Sequence, residues 1–348
     1  MRPLLPRTAS ITPYLKRIDE SRIYSNYGPL YDELSDRLAE YFGVRTSQVL
    51  ILTNGTLALE GAVRTVDSSS SEWVIPSWTF VATGHAVLSA GGILRFGDIN
   101  ETDWTLKYPE LNNNQLAIYV APFGLKPDLK GLAAHFTQTP VVVDAASCFD
   151  SCQNVGRALP ENVMLMVSLH ATKTVTTGEG GVLIGPEDWI RRIRTWSNFG
   201  FHGSRIAHNL ATNSKISEYH AAVGLASLDN WEHDRKEWER TAFRMQTVLT
   251  ELGCKTQLAF QSGQISSTCI AIFESESHRN TAESKLEAHG IETRRWWGDG
   301  LHRMPSFAEI GATHSLQTTE RIASTTLGIP YFRDLDSNAI DRIGSCIR

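Results

Sequence analysis

Four places along the chain set chemically capable residues directly after short apolar runs. Asn54-Gly55-Thr56 follows VLIL (49–52), Pro76 to Phe80 follows WVI (73–75), Asp144 closes VVVD (141–144), and Ser168 to Lys173 follows MLMV (164–167). Each is ordinary alone. An Asp ending a strand is commonly a helix cap, a lone Lys is usually a solvated surface charge, and a Gly-Thr pair is commonly a turn. Convergence changes the reading, because ligands of open α/β sheets bind beyond the carboxyl ends of the strands. On one sheet edge the four segments would bring together an amine, a carboxylate and the start of a helix, whose free N–H groups at Gly55-Thr56 suit a phosphate dianion. Pyridoxal phosphate (PLP) has these needs: an amine for imine formation, a carboxylate that keeps the pyridine nitrogen protonated, phosphate donors, and an apolar face for the ring. A lysine of ordinary pKa, about 10.4, must be depressed by desolvation to act as nucleophile or base near neutrality.

Other chemistries lack their signatures. TTGEGG (176–181) is not a G-x-G-x-x-G that follows a strand, and the sequence holds no Walker A run and no G-x-S-x-G elbow. Cys148, Cys152, Cys254, Cys269 and Cys346 are odd in number and scattered, which argues against a disulfide framework. Cys148 and Cys152 stand four apart with no second pair at metal spacing, so they read as buried small residues and no metal is expected.

The elements that must position these groups follow from periodicity. Short runs rich in β-branched residues recur at 49–52, 73–75, 116–121, 141–144, 164–169 and 181–185, separated by helical stretches such as 80–90. That alternation implies an α/β fold whose mostly parallel sheet is covered on both faces by helices. The later chain reads as helices at 216–228 and 231–249, a strand at 265–273 and a helix at 279–289. A length of 348 residues is long for one core. We therefore expect a large domain over residues 1–232 and a smaller C-terminal α/β domain over 233–348, joined within the long charged helix. Apolar residues make up 41% and charged ones 20%, a globular balance. A net charge of -5 without any basic run gives no footprint for nucleic acid. The first ten residues lack the long apolar core of a signal peptide. Val74 to Leu94 carries no Asp, Glu, Lys or Arg, but Pro76, His85 and several Ser, Thr and Gly residues interrupt it. It reads as strand, loop and helix rather than a membrane span, and a cytoplasmic location is expected.

Six motifs in this order resemble the nucleotide-sugar aminotransferases of the DegT/StrS type, within the aspartate-aminotransferase fold (PLP fold type I). They are SNYGPL (25–30), NGTLAL (54–59), PSWTFVAT (76–83), VVVDAAS (141–147), SLHATKTVTTGEGG (168–181) and TNSKISEYHAAVGLASL (212–228), the fifth being the most specific. The resemblance implies that Lys173 holds the cofactor as a Schiff base and shuttles the proton. It implies that Asp144 pairs with the pyridine nitrogen, Phe80 stacks on the ring, and Gly55, Thr56 and Ser168 bind the phosphate. Asn213 would reach the phosphate of a partner subunit's cofactor in a homodimer, although an Asn before a helix is commonly its N-cap. His170 reads as a packing neighbour of the site rather than its base. Asn26, Tyr27, Trp296, Trp297 and His302 are candidates for the sugar or nucleotide side. Ser147 stands where the family usually has Gln or His against the cofactor's phenolic oxygen, and Ala211 where Gly is common. The implied reaction is ping-pong transfer of an amino group from an amino acid, most often glutamate, to a nucleotide-linked keto sugar. The wording of the lysine motif points to an NDP-4-keto-6-deoxyhexose. Sugar dehydratases on this fold carry His in place of the lysine, and silent regulatory homologues usually lose the lysine or the aspartate; Lys173 and Asp144 both stand here.

Overall fold

The computed structural model describes residues 2–66, 71–111, 115–137 and 139–347. In chain order it runs α1 (Thr8–Ser21), α2 (Pro29–Phe42), β1 (Val49–Leu52), α3 (Gly55–Val66), β2 (Glu72–Pro76), α4 (Val81–Ala90), β3 (Ile93–Gly97), β4 (Leu116–Val120), α5 (Leu129–His135), β5 (Val141–Asp144), β6 (Val163–Ser168) and β7 (Gly181–Ile184). It continues through α6 (Glu187–Trp196), α7 (Glu218–Asp229), α8 (Trp231–Glu251), β8 (Lys255–Thr256), α9 (Leu258–Gln261), β9 (Cys269–Ile272), α10 (Glu276–Ala288), α11 (Gln317–Thr325), β10 (Thr326–Ile329) and α12 (Ser337–Ile347).

The first seven strands form one sheet in the order β1-β7-β6-β5-β4-β2-β3. The pairs β2–β3, β2–β4, β4–β5 and β5–β6 are parallel, while β7 runs antiparallel to both β6 and β1. Every residue of β5, β6 and β7 is buried, as expected of strands covered on both faces. β8, β9 and β10 form a second, antiparallel sheet. None of the described helices is long and apolar enough to cross a membrane.

Two departures from the periodicity have local causes. β3 was not expected as a strand: Arg95 interrupts its apolar run, yet the segment pairs along all of β2 and Arg95 reaches Glu72 at 3.0 Å. The expected strand at 265–273 shortens to Cys269–Ile272 because Ser266 Oγ accepts from the Thr268 amide at 3.1 Å, a local side-chain bond that competes with the ladder.

Buried carboxylates tie distant elements together. Glu218 of α7 accepts from the Leu30 and Tyr31 amides at 2.7 and 2.9 Å, satisfying the first turn of α2 from another element. Asp98, just after β3, accepts from the Thr318 and Thr319 amides at 3.2 and 2.8 Å and so caps α11 in the C-terminal segment. That segment also returns over the carboxyl edge of the large sheet, where the Leu301 amide donates to Ser77 O at 2.7 Å.

Candidate functional site

Lys173 lies in the loop between β6 and β7. The loop is closed on itself: the Ala171 amide bonds Gly178 O at 2.7 Å, the Lys173 amide His170 O at 2.9 Å, and the Thr177 amide Leu169 O at 2.9 Å. Ser227 of α7 braces it by accepting from the Thr176 amide at 3.2 Å. The lysine is therefore presented by a fixed backbone, and its Nζ donates to Ser147 Oγ at 2.9 Å. Ser147 follows the end of β5, where Asp144 is only 6% exposed. Asp144 accepts from Thr83 Oγ1 at 2.8 Å and from the Ala146 amide at 3.1 Å. Thr83 is in turn 3.0 Å from Thr79 Oγ1, so the first turn of α4 is docked on the carboxylate.

Burial dominates the electrostatics of both groups. It pushes the Asp144 carboxyl up, against the hydrogen bonds from Thr83 and Ala146 and the charge of Lys173. It pushes the Lys173 amine down, against the opposing pull of Asp144 and Cys148. The result is an amine that gives up its proton more readily than an ordinary lysine, and a buried carboxyl whose hydrogen-bond partners, Thr83 Oγ1 and the Ala146 amide, are neutral. Such a carboxylate gains from a cationic heterocycle placed on it, which a protonated pyridine supplies.

The start of α3 lies against the ends of β6 and β7. Asn54 Oδ1 caps it by accepting from the Leu57 amide at 2.9 Å. A side chain at Gly55 would meet Met166 Sδ at 3.2 Å, with Ser168 Cβ 3.7 Å away, and one at Gly181 would sit 2.7 Å from the Gly55 backbone. Gly55, Thr56 and Ser168 therefore share one corner, where helix-start N–H groups and a hydroxyl suit an anion. Phe80 immediately precedes α4, whose first turn is docked on Asp144 through Thr83, and is 57% exposed.

The other expected residues divide. His170 is turned to Thr172 Oγ1 at 2.9 Å and to Glu179 at 3.5 Å, on the outer side of the loop. Asn213 is not the cap of α7; Ser217 is, and Asn213 sits earlier in an extended segment bridged to Asn198, with Lys215 Nζ 2.6 Å from its Oδ1. This segment runs beside the corner just described, since Ser214 O accepts from the Thr53 amide at 2.8 Å. Asn26 is exposed, and Tyr27 is held by Ser197 Oγ at 3.1 Å and by the Arg194 guanidinium 3.9 Å from its ring centroid. Trp297 stacks on Phe123 at 4.5 Å and meets Trp78 edge-on at 4.9 Å, while Trp296 lies 6.0 Å from Phe123. His302 Nδ1 is 2.6 Å from Ser77 Oγ. These last contacts place the C-terminal segment against the turn that carries Phe80.

Sequence reasoning missed Thr83, which orients Asp144, and Ser77, which binds His302. Both are hydroxyls inside PSWTFVAT, and nothing but their place in that motif distinguishes them from surface polar residues. Among the described residues, His233, Asp234 and Glu237 could gather around a cation, but Arg333 already pairs with Asp234 and lies 3.3 Å from Glu237.

A family model described as the DegT/DnrJ/EryC1/StrS aminotransferase family matches residues 7–348. A Shigella dysenteriae protein named dTDP-4-amino-4,6-dideoxy-D-glucose transaminase is 26% identical, across 99% of this chain and 97% of its own. The solved structure of DesI in the presence of its TDP-sugar product superposes with a TM-score of 0.87 at 26% identity, covering 99% of this chain and 91% of that one. A Bacillus cereus structure described as a PLP-dependent aminotransferase gives a TM-score of 0.89 at 27% identity, over 100% and 98% of the two chains.

Proposed function

The chain belongs to the DegT/DnrJ/EryC1/StrS aminotransferase family, and we propose that it transfers an amino group from glutamate to a nucleotide-linked keto sugar, an NDP-4-keto-6-deoxyhexose carried on dTDP or GDP. The observation that carries this reading is the part-buried cluster in which the Lys173 amine donates to Ser147 Oγ at 2.9 Å beside the buried Asp144. The sugar class is supported by the Shigella relative and by the sugar product in the DesI structure.

The cofactor is pyridoxal phosphate, which supplies a carbonyl for imine formation and a ring that takes up electrons from the reacting carbon. Asp144 holds the proton at the ring nitrogen, its own carboxylate kept in place by Thr83 and Ala146. Phe80 covers one ring face. Gly55, Thr56 and Ser168 receive the phosphate of their own subunit, and Asn213 that of a partner subunit. Lys173 Nζ, its proton affinity lowered by burial, takes the proton from the α-carbon of the donor and returns it on the other side of the transfer. Ser147 holds that amine between the two events. Pro3 and Leu4 of the N-terminal arm, Trp238 of α8 and Tyr331 of the C-terminal segment line a cavity that Lys173 also borders. A dehydratase reading is disfavoured by the lysine itself, since its counterparts carry His there.

The test is a panel of dTDP-, UDP- and GDP-linked keto sugars assayed with glutamate. Amination of 4-keto-6-deoxy substrates on dTDP or GDP is expected. Turnover confined to 3-keto sugars, or to a ketone without a nucleotide, overturns the substrate class.

A further inference from the structure

The turn Ser77–Phe80 is gripped from two sides. On one side Thr79 and Thr83 tie it to Asp144. On the other, the C-terminal segment holds it: the Leu301 amide donates to Ser77 O at 2.7 Å, Trp297 packs on Trp78, and His302 Nδ1 meets Ser77 Oγ at 2.6 Å. Ser77 is fully buried, so this hydroxyl has no solvent to turn to if its partner is lost. Glu320 Oε1 stands 3.5 Å from the other ring nitrogen, Nε2. A carboxylate there favours the tautomer with the proton on Nε2, which leaves Nδ1 to accept from the Ser77 hydroxyl. Burial, ahead of the opposing effect of Glu320, lowers the imidazole's proton affinity and keeps it neutral, as an acceptor at Nδ1 requires.

We propose that His302 is a positioning residue rather than a substrate ligand: through Ser77 it fixes the turn that presents Phe80 to the cofactor ring. Nδ1 of His302 is taken by Ser77, and Nε2 is buried, facing Glu320 at 3.5 Å without a hydrogen bond, so neither nitrogen presents an open edge to a sugar. Phe80 is 57% exposed, so the angle of its ring follows the backbone of the turn, which is gripped at Ser77 three residues earlier. The inference rests on the reading of Phe80 as the stacking partner of the ring.

The experiment measures the dissociation constant of pyridoxal phosphate from the full-length protein by fluorescence titration, without any substrate. Variants are His302→Ala, His302→Asn and Ser77→Ala, each alone and combined with Phe80→Ala, together with Phe80→Ala itself, and all are confirmed by circular dichroism to be folded at the assay temperature without cofactor. His302→Ala and Ser77→Ala should each weaken the cofactor about tenfold, the size of one lost buried hydrogen bond. They should do so no further in a Phe80→Ala background, and His302→Asn, which keeps an acceptor near the serine, should recover part of the loss. Additive losses in the Phe80→Ala background overturn the proposal. So does a His302→Ala variant with normal cofactor affinity and a raised KM for the sugar alone. If Phe80→Ala by itself leaves the affinity unchanged, the stacking role fails instead.

Discussion

The chemistry of the Lys173 amine is set by what surrounds it more than by its own side chain. Desolvation lowers its pKa, and only Asp144 and Cys148 oppose that trend. Borohydride reduction of the holoenzyme should therefore fix the cofactor to Lys173, and peptide mass spectrometry should find the adduct there; an adduct on another lysine defeats the assignment. Asp144 is the second lever. Asp144→Asn should stay folded, since an amide oxygen can still accept from Thr83, but kcat should fall by about 10²- to 10³-fold because a neutral partner no longer favours a protonated ring. Turnover like the native enzyme's in that variant removes Asp144 from the mechanism. Lys173, Asp144, Ser168 and the Gly55-Thr56 turn were legible because each ends or follows an apolar run, a position that sequence reports directly. Thr83 and Ser77 were not, since their importance lies in a partner 61 residues away for one and 225 for the other. Asn213 shows the converse: residue type suggests a helix cap, and only the register of the segment shows that Ser217 fills that post.

Among the elements, the clearest coupling is between β3 and α11. Asp98 accepts from Lys107 Nζ at 3.0 Å and from the amide and hydroxyl of Thr319 at 2.8 Å each. Burial alone would raise its pKa, but the hydrogen bonds from Lys107 and Thr319 outweigh it and hold the group down to about 2. A carboxyl whose folded pKa lies below its unfolded value, about 3.9, stabilises the fold above that value and loses the contribution as the pH falls toward the folded pKa. Asp98→Asn should accordingly cost about 2 kcal/mol at pH 7. The gap to the native protein in urea unfolding should narrow as the pH drops from about 4 toward about 2. A gap independent of pH across that range would show that packing, not charge, holds α11. This contact was invisible beforehand because nothing in the local periodicity of β3 or α11 records a partner more than two hundred residues away. The parallel strands were visible for the opposite reason: burial on both faces writes itself as an unbroken apolar run.

At the scale of the whole molecule, the segment bearing Asn213 is the part least explained by a single chain. Asn213 is exposed, and the stretch before it displays Ile206 and Leu210 at 65% and 96% exposure, with Phe199 and Tyr219 also uncovered. So much exposed apolar surface in one region suits a contact with a second copy of the chain. Among the described residues, Ser168 and the start of α3 are what its own subunit places at the phosphate corner, and a dianion is better held by further donors. We therefore expect a homodimer in which Asn213 of each chain completes the phosphate corner of the other. Complementation decides it. Lys173→Ala and Asn213→Ala should each be inactive or nearly so as pure dimers. In a hybrid of the two, one site lacks both residues and the other has both intact, so an equimolar mixture after full subunit exchange should recover about one quarter of native activity. Each chain must first be shown to exchange, by mass-tagged subunits or light scattering. A mixture that stays inactive after exchange, or a fully active monomer, means that Asn213 serves its own subunit and that the exposed apolar stretch has another purpose.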